Sequence, residues 1–425
     1  MKTIAVIGAG QRGEMYARRA KALCSDSFKI VAVAEPIKSR RDDVKNQHNI
    51  PDEMCFEGWE QLLAQPKLAD IVIIATMDRD HYAPTMAAIQ KGYNIMIEKP
   101  ISPEPQECLA IEKAAREKGV FLLTCFVLRY TPFFNAIKQL IKDGVIGDVY
   151  NIQHAENVGN LHQSHSFVRG NWGNSKESSF MLLQKSSHDM DILQWLIEKP
   201  CKRVSSFGSL SYFTAENAPE GAPERCIEGC PHADTCYYNA VKLYLESDSS
   251  WFRTAATKLA NPTDSDVENA LRTTQYGKCV FKCNNDVVDH QIVNMEFEGG
   301  VTANFTMSAF NKGGRELTVM GTKGTISGNM ADNFLTLYSF QTRETTKIPF
   351  SDISFNENIT GGHGGGDDGI ILELKRIVES EEKQVGDSFN AVNNHLIAFA
   401  AEESRLNGTV VDVEKYRNNI VSSLK

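Results

Sequence analysis

The feature that most restricts the fold of this chain is a series of short, wholly apolar runs separated by helical segments. The runs "TIAVIG", "KIVAVA", "ADIVIIAT", "YNIMIE" and "VFLLTCF" all lie within the first 150 residues. Strands that are apolar along their whole length are typical of a parallel sheet covered by helices on both faces. The pattern therefore predicts a right-handed, doubly wound α/β domain over residues 1–128.

After residue 128 the pattern changes to strands that follow one another with few helices between them. Examples are "DVYNIQHAE", "VVDHQIVNMEFEG" and "VTANFTMSAF". Such runs predict a second, α+β domain over residues 129–425, built on a large, mostly antiparallel open sheet. Residues 214–286 are expected to form an insertion between two strands. The segment "TGGHGGGDDG" (360–369) is predicted to be a flexible glycine loop before a helix.

Charge and hydropathy exclude several classes of protein. The chain of 425 residues has 45 Lys and Arg against 54 Asp and Glu, a net charge of −9. An acidic chain without a basic cluster is a poor candidate for binding nucleic acid or an anionic membrane. No apolar run is long enough to span a membrane, and the first run is too short for a secretory signal. We therefore expect a cytoplasmic protein.

Three glycines between the first predicted strand and helix form the pattern G-x-G-x-x-G at Gly8, Gly10 and Gly13. In a Rossmann domain these glycines permit a tight turn, let a pyrophosphate approach the backbone, and let the helix pack on the strand. Glu35 ends the second strand 22 residues beyond Gly13, where a carboxylate accepts hydrogen bonds from the adenosine ribose. This favours NAD over NADP. Residues 38–41 contain three basic side chains that either accommodate a 2′-phosphate or are solvated, and we prefer the second reading.

The fourth apolar run ends in Glu98, Lys99 and Pro100. Ligands of an open parallel sheet bind beyond the carboxyl ends of its strands, so Lys99 is expected on the same edge as the glycine turn. There it would reach the nicotinamide half of the cofactor. Pro100 favours an extended backbone at Lys99 and so fixes where the lysine side chain emerges.

The glycine turn, Glu35 and the stretch "ATMDRDHYAPTMAAIQKGYNIMIEKP" together resemble the glucose-fructose oxidoreductase / inositol dehydrogenase / MocA (Gfo/Idh/MocA) family. The resemblance implies an NAD(P)-dependent dehydrogenase acting on the CH–OH groups of sugars, cyclitols or their derivatives. It also implies that Lys99 is the catalytic lysine. The implied cofactor contacts are Gly8, Gly10, Gln11, Arg12, Gly13, Glu35, Ala75, Thr76, His81, Glu98 and Lys99.

The family's second motif, Asp-x3-His-x2-Asp, corresponds to "QKSSHDMD". His188 and Asp191 match, but Gln184 replaces the first Asp. An amide binds a sugar hydroxyl but cannot relay a proton at neutral pH, so the proton path is open. "SSHD" also predicts a helix start with Ser186 as N-cap and Asp189 three residues on. This position would keep the His188 imidazole neutral, as a base requires, while Lys99 polarises the developing carbonyl oxygen.

Side chains beside these motifs are expected to line the substrate site. Lys185 near Lys99 would favour an anionic substrate such as a uronate, although a solvated lysine is an equal alternative. Trp172 would stack on a sugar ring or belong to the core. The full set of expected substrate contacts is Gln184, Lys185, Arg129, Tyr130, Trp172 and Asp191. Further candidates are His154, His165 and, if the glycine loop approaches the pocket, His363.

Five of the ten cysteines cluster within the insertion and just before its end. They are Cys226, Cys230, Cys236, Cys279 and Cys283. Four thiolates could hold a structural zinc ion, but the spacing is not the C-x2-C of common zinc folds. Separately packed, reduced cysteines are the preferred alternative, and the metal content stays open.

Three functions fit these parts. The leading hypothesis is an NAD-dependent dehydrogenase that oxidises a secondary alcohol of a sugar or cyclitol. The second is a redox-neutral, NAD-dependent glycosidase, in which Tyr130 or Tyr212 would assist. The third is a non-catalytic sugar- or nucleotide-sensing regulator, which the presence of both Lys99 and His188 disfavours. By analogy with the family, the large sheet is expected to mediate a homo-oligomer, a dimer or a tetramer.

Overall fold

The computed structural model describes residues 1–259, 261–353, 362–380 and 387–423. Its first sheet has six parallel strands, β1 (Lys2–Ile7), β2 (Phe28–Ala34), β3 (Cys55–Phe56), β4 (Ile71–Ile74), β5 (Asn94–Ile97) and β6 (Leu122–Thr124). Their order across the sheet is β3-β2-β1-β4-β5-β6, and every ladder is parallel. The doubly wound parallel sheet is confirmed. The two-residue strand β3 was not predicted.

Helices connect these strands and cover both faces of the sheet. They are α1 (Gln11–Cys24), α2 (Lys38–His48), α3 (Trp59–Ala64), α4 (Tyr82–Gln90) and α5 (Pro105–Lys118). The strands β1, β4 and β5 contain buried side chains on both faces, as their continuous apolar sequences indicate. The glycine turn, Glu35, Thr76 and Lys99 all follow strands at the carboxyl edge of this sheet.

The second sheet has nine strands. They are β7 (Val149–Asn157), β8 (Cys201–Ser209), β9 (His290–Phe297), β10 (Thr302–Ser308), β11 (Gly314–Gly321), β12 (Gly324–Asn329), β13 (Phe334–Ser339), β14 (Thr345–Pro349) and β15 (Val411–Asp412). Their order is β14-β13-β12-β11-β7-β10-β9-β8-β15. All ladders are antiparallel except that between β7 and β10. The predicted large, mostly antiparallel sheet is therefore confirmed.

One face of the second sheet is covered by helices and the other is open. The remaining helices are α6 (Pro132–Lys142), α7 (Asn160–His162), α8 (Met181–Gln184), α9 (Ser187–Ile197), α10 (Ser250–Thr257), α11 (Asp264–Thr273), α12 (Gly366–Glu379), α13 (Asp387–Asn407) and α14 (Val413–Ser423). Alternate residues of β9 and β10 are buried and exposed, the pattern of a sheet with one solvated face.

The helix α12 packs away from the sheet that precedes it in sequence. Its apolar residues Ile370, Ile371 and Leu374 belong to the same buried cluster as Tyr16 and Ala17 of α1. The chain therefore returns to the first sheet after eight strands of the second sheet and before its ninth, β15. Part of the glycine segment predicted to be a loop, residues 366–369, is the first turn of this helix, and residues 360–361 lie outside the described ranges.

The insertion lies between β8 and β9 and carries α10 and α11. It has its own small apolar core, which includes Tyr244, Phe252 and Leu271. This core packs against a π-helical segment, Gln163–Arg169, through His165, whose ring lies 4.7 Å from that of Phe252. Across the described ranges, no helix is long and apolar enough to cross a membrane.

Candidate active site

The glycine turn has the shape that a dinucleotide site needs. Gly8 has φ +85°, and a Cβ there would lie 2.6 Å from the carbonyl oxygen of Ala75. A Cβ on Gly13 would lie 1.9 Å from the carbonyl oxygen of Gly8. Both positions therefore exclude a side chain, because β1, α1 and the end of β4 approach one another closely there.

Gly10 differs from its two neighbours because space is open around it. A Cβ there would meet only Arg40 Nη1, at 4.0 Å. Gly10 is also the N-cap of α1, and no side chain caps that helix end. The free N–H groups and the open space together fit a pyrophosphate, which binds where the helix dipole favours negative charge.

Glu35 is buried and held in place by two backbone N–H groups. Its Oε2 accepts from Ala9 at 2.7 Å, and its Oε1 accepts from Ile37 at 3.0 Å. Each carboxylate oxygen keeps further acceptor capacity for a ribose hydroxyl. Among the nearby basic residues, Lys38 pairs with Asp42 and Arg41 donates to the carbonyl of Glu35, whereas Arg40 lies beside Gly10.

Arg12 extends from the glycine turn toward Glu98. Its Nε donates to Glu98 Oε1 at 2.7 Å, and its guanidinium also pairs with Asp367 at 3.0 Å. The hydroxyl of Tyr16 donates to the same Glu98 oxygen at 2.6 Å. In this arrangement Arg12 joins α1, the end of β5 and α12, whereas the neighbouring Gln11 is exposed.

Lys99 is half-buried between the two sheets. Its ammonium donates to the main-chain carbonyl of Gln184 at 2.7 Å, so it meets the backbone of Gln184. Burial lowers the pKa of Lys99, the charges of Glu98 and Asp78 oppose that shift, and the charge of Lys185 adds to it. Lys185 is therefore close enough for the two ammonium groups to repel each other.

His188 lies in the first turn of α9, with Ser186 at the N-cap position as predicted. The predicted capping hydrogen bond is absent, and the buried Ser186 hydroxyl has no partner among the residues that the structure describes. The Asp189 carboxylate instead contacts His154 and Arg315. Burial, followed by the nearby charge of Lys99, lowers the pKa of His188 well below its usual value, so the ring is neutral at pH 7. Lys99 and His188 are thus close enough for the ammonium charge to act on the imidazole.

A buried ionic network lies behind these two residues. Lys185 Nζ is 3.2 Å from Glu156 Oε1, and Arg315 pairs with both Glu156 and Asp189. His154 Nε2 lies 2.7 Å from Asp189 Oδ1. Sequence analysis missed Glu156 and Arg315. Two inward-facing titratable residues at a spacing of two in β7, His154 and Glu156, were the available signal.

Arg129 and Asp191, both expected to contact substrate, pair with each other. Arg129 Nε and Nη2 donate to the two Asp191 oxygens at 2.7 and 2.5 Å, and the pair is buried. Asn394 of α13 donates to the same carboxylate. The ion pair therefore ties α9 to α13 and to the segment after β6.

Other expected site residues occupy different surroundings. Trp172 packs against the main apolar core, and its buried indole nitrogen has no hydrogen-bond partner in the described part of the chain. Tyr130 packs closely on Gly369 of α12. His81 is buried, with its ring nitrogens 2.7 Å from the carbonyl of Pro100 and 3.1 Å from that of Thr76. His81 therefore links the segments after β4 and β5.

Two residues outside the predicted set adjoin the same region. Asp78 is buried after β4 and accepts from the hydroxyl groups of Ser178 and Ser179, and its charge acts on Lys99. His162 follows β7; burial, with Lys185 as the largest nearby charge, lowers its pKa to about 2. Asp78 lies within the stretch that carries the family resemblance but has no distinguishing signal there, and His162 belongs to no motif.

The zinc hypothesis is not supported by the side-chain geometry. No three His, Cys, Asp or Glu side chains within the described ranges are grouped to hold a metal ion. The cysteines of the insertion are free thiols, and Cys236, Cys279 and Cys283 adjoin an apolar cluster around Phe213 and Phe281. These three thiols therefore pack at an apolar cluster.

Comparison with known families defines an oxidoreductase with an NAD-binding Rossmann fold. Profiles of one oxidoreductase family match nearly the whole chain. The profile described as an NAD-binding Rossmann fold matches residues 2–126, and the one described as a C-terminal alpha/beta domain matches residues 138–413. The chain belongs to the Gfo/Idh/MocA family of oxidoreductases.

Individual relatives extend this finding. YteT of Bacillus subtilis is 25% identical over 345 residues, covering 76% of this chain and 75% of YteT. The 2,7-anhydro-N-acetylneuraminate hydratase of Escherichia coli is 29% identical over 208 residues, 48% of this chain and 51% of the hydratase. Levoglucosan dehydrogenase, solved with NADH and levoglucosan, superposes with a TM-score of 0.69 at 16% identity, covering 97% of this chain and 99% of that one. This last likeness concerns the fold.

Proposed function

We propose that the protein is an NAD-dependent dehydrogenase that oxidises a secondary alcohol of a sugar, a cyclitol or a related derivative. The observation that carries the proposal is the placement of Lys99 and His188. A half-buried ammonium and a neutral imidazole lie near each other beyond the carboxyl end of β5, on the edge that carries the glycine turn. An alcohol oxidation needs an acceptor for the hydroxyl proton and a cation for the developing carbonyl oxygen.

The residues of this chain divide the reaction between them. The bound nicotinamide ring would accept the hydride. Lys99 would hold the substrate oxygen through its ammonium. Because its pKa is lowered, this ammonium could release or regain a proton as the charge on that oxygen changes. His188 would take the hydroxyl proton. Gln184, which replaces the family's Asp, would bind a substrate hydroxyl, and Lys185 would contact the substrate's more distant polar groups.

The cofactor is proposed to be NAD and not NADP. Glu35 is fixed by Ala9 and Ile37 just after β2, where its carboxylate would accept a hydrogen bond from a ribose 2′-hydroxyl. A carboxylate there would repel a 2′-phosphate. Arg40 beside Gly10 is the residue that could offset that repulsion, so the ratio of NAD to NADP binding tests the assignment.

A second candidate function is a redox-neutral reaction, in which the substrate is oxidised, altered by elimination or addition of water, and reduced again. The relative from Escherichia coli supports this alternative, because a hydratase adds water without net oxidation. The same pair, Lys99 and His188, would serve both outcomes. The two functions differ in whether NADH accumulates.

The experiment is a panel of sugars, cyclitols, uronates, anhydrosugars and aryl glycosides incubated with the protein and NAD. Accumulation of NADH supports the dehydrogenase. Conversion of a substrate without NADH, seen by chromatography, supports the redox-neutral alternative. A protein that binds NADH in calorimetry but converts nothing in the panel would count against both.

We also propose that the open face of the second sheet mediates a homo-oligomer, a dimer or a tetramer. Phe207 of β8 and Ile292 of β9 are cross-strand neighbours that are 63% and 42% exposed, and Tyr150 of β7 is 59% exposed. Apolar side chains on a flat open face favour association. Sedimentation of the wild type and of Phe207→Glu would test this, with dissociation expected for the variant.

A further inference from the structure

His363 and Asp367 form a histidine–carboxylate pair at the start of α12. His363 Nδ1 lies 3.1 Å from Asp367 Oδ1, and Asp367 is buried while the histidine side chain is 45% exposed. Arg12 Nη1 is 3.5 Å from the same nitrogen, a longer contact. Because a carboxylate only accepts hydrogen bonds, the shorter contact requires a proton on Nδ1. Nε2 then carries the free lone pair and is the basic nitrogen.

This pair lies beside the proposed base. The ring centroids of His363 and His188 are 6.3 Å apart, a separation that one bridging water or hydroxyl would span. The charged and titratable groups around His363 are Arg12 from α1, Asp367 from α12, His188 from α9 and His162 from α7. Arg12 continues to Glu98, next to Lys99.

The proposed reaction needs a second proton acceptor, because no carboxylate in the described part of the chain is hydrogen-bonded to His188. His188 Nδ1 is buried and has no hydrogen-bond partner within the described ranges. Gln184 stands where the family motif has Asp, and an amide does not accept a proton at neutral pH. Burial and Lys99 lower the pKa of His188, so a proton taken up there is released readily. A second acceptor must then carry it to solvent.

We propose that His363, oriented by Asp367, is the second proton-transfer group of the site. This inference rests on the proposed dehydrogenase function. In alcohol oxidation the C–H bond pair leaves as hydride to the nicotinamide, and the O–H proton goes to His188. The proton then passes through one bridging water or hydroxyl to His363 Nε2 and from there to solvent. One alcohol and one NAD⁺ give one carbonyl, one NADH and one released proton, so no other reactant is needed.

The decisive variant is His363→Asn. An asparagine amide keeps a donor for Asp367, and Asn tolerates the left-handed backbone of residue 363, where φ is +52°. It lacks a basic nitrogen. The matched control is His290→Asn, because His290 also pairs with an aspartate, Asp289, at 2.7 Å, but lies on β9 of the second sheet.

On a substrate identified by the panel, His363→Asn is expected to lower kcat about 10- to 100-fold at neutral pH. NADH affinity and melting temperature should match the wild type, and His290→Asn should leave all three unchanged. The shape of the kcat–pH profile should change in His363→Asn, and added imidazole should partly restore turnover in His363→Ala.

Two results would overturn the inference. One is a His363→Asn enzyme with wild-type kcat and pH profile. The other is nitrogen-15 NMR of the cofactor-free protein that shows the His363 proton on Nε2, since Asp367 is expected to hold it on Nδ1. The proposed function fails separately, because in that case the wild type itself converts no substrate while its histidine NMR signals are unaffected.

Discussion

At the scale of single residues, the site combines charges that are individually unfavourable to bury. Lys99 and Lys185 are close enough to repel, and buried Glu156 and Asp189 stand behind them with Arg315 between. Lys185, Glu156, Asp189 and Arg315 have opposite partners, which offset the cost of desolvation. The Lys99 ammonium instead bonds a neutral carbonyl, and buried Asp78 accepts from two serine hydroxyl groups.

Removal of either proposed catalytic side chain is expected to abolish turnover but not cofactor binding. Lys99→Ala and His188→Ala should each lower kcat by a factor of about 10²–10⁴, because each removes a group that acts on the reacting oxygen or its proton. NADH titration by fluorescence should give nearly wild-type affinity. Lys113→Ala, an exposed lysine on α5, is the control. Full activity in either active-site variant would refute that residue's role.

The buried pair Arg129 and Asp191 is expected to act in stability. Asp191→Ala removes the carboxylate that pairs with the buried guanidinium of Arg129, and it should lower the free energy of unfolding by about 3–5 kcal/mol in guanidinium titrations. The double variant Arg129→Met, Asp191→Leu should recover most of that loss. If Asp191→Ala instead keeps its stability and raises only the KM for substrate, Asp191 is a substrate contact.

The lysine motif and the histidine motif could be found in the sequence because their residues are local. His363 and Arg315 could be placed only with the structure. His363 approaches Arg12 across 351 positions of sequence, and Arg315 approaches Asp189 across 126. No spacing rule connects such distant positions. Similarly, the motif "SSHD" indicated a capping hydrogen bond. In the structure the Asp189 carboxylate instead contacts Arg315 and His154.

At the scale of elements, the longer strands of the first sheet were predictable because they are continuous apolar runs, and β9 and β10 of the second sheet because their buried and exposed residues alternate. The strand β3 was missed because two residues show no periodicity. The packing of α12 on α1 was missed for another reason. The amphipathic sequence predicts a helix with one apolar face, but it does not say which of two sheets that face covers.

Gly13 and Gly10 of the turn are expected to respond differently to replacement by alanine. Gly13→Ala would force a Cβ to 1.9 Å from the carbonyl of Gly8, so it should lower the melting temperature strongly. Gly10→Ala meets only Arg40 at 4.0 Å, so it should keep the wild-type melting temperature. It should nevertheless lose most NADH affinity, because the methyl group occupies the space proposed for the pyrophosphate. Calorimetry and thermal melts measure both properties.

An unchanged NADH affinity in Gly10→Ala would place the pyrophosphate elsewhere. The variant Gly119→Ala provides a control for the effect of alanine at a remote glycine. Gly119 caps α5 with φ +69° and open space around it, so that variant should lose some stability but no cofactor affinity.

At the scale of the whole molecule, buried neutral histidines are expected to make stability depend on pH. Burial lowers the pKa of His165 and His395 to about 4 and that of His162 to about 2. In the unfolded chain these rings titrate near 6.5. Below that pH the unfolded state binds more protons than the folded state, so the free energy of unfolding falls as the pH falls from 7 toward 4.

Denaturant titrations between pH 7 and pH 5 measure this slope, which is about 1.4 kcal/mol per pH unit for each proton taken up on unfolding. His165→Phe fits the surrounding cluster of aromatic rings and should lower the slope by about one proton. A variant with the wild-type slope would show that His165 titrates alike in both states.

The return of α12 to the first sheet also sets how this enzyme can be dissected. A fragment that ends near residue 128 would lack α12, which shields Tyr16 and Ala17, and would expose an apolar groove to water. We expect such a fragment to aggregate or to bind chaperones. A rearranged fragment in which residues 362–380 are joined ahead of Met1 would include α12. The nucleotide-binding domain, residues 1–128, could then be produced alone.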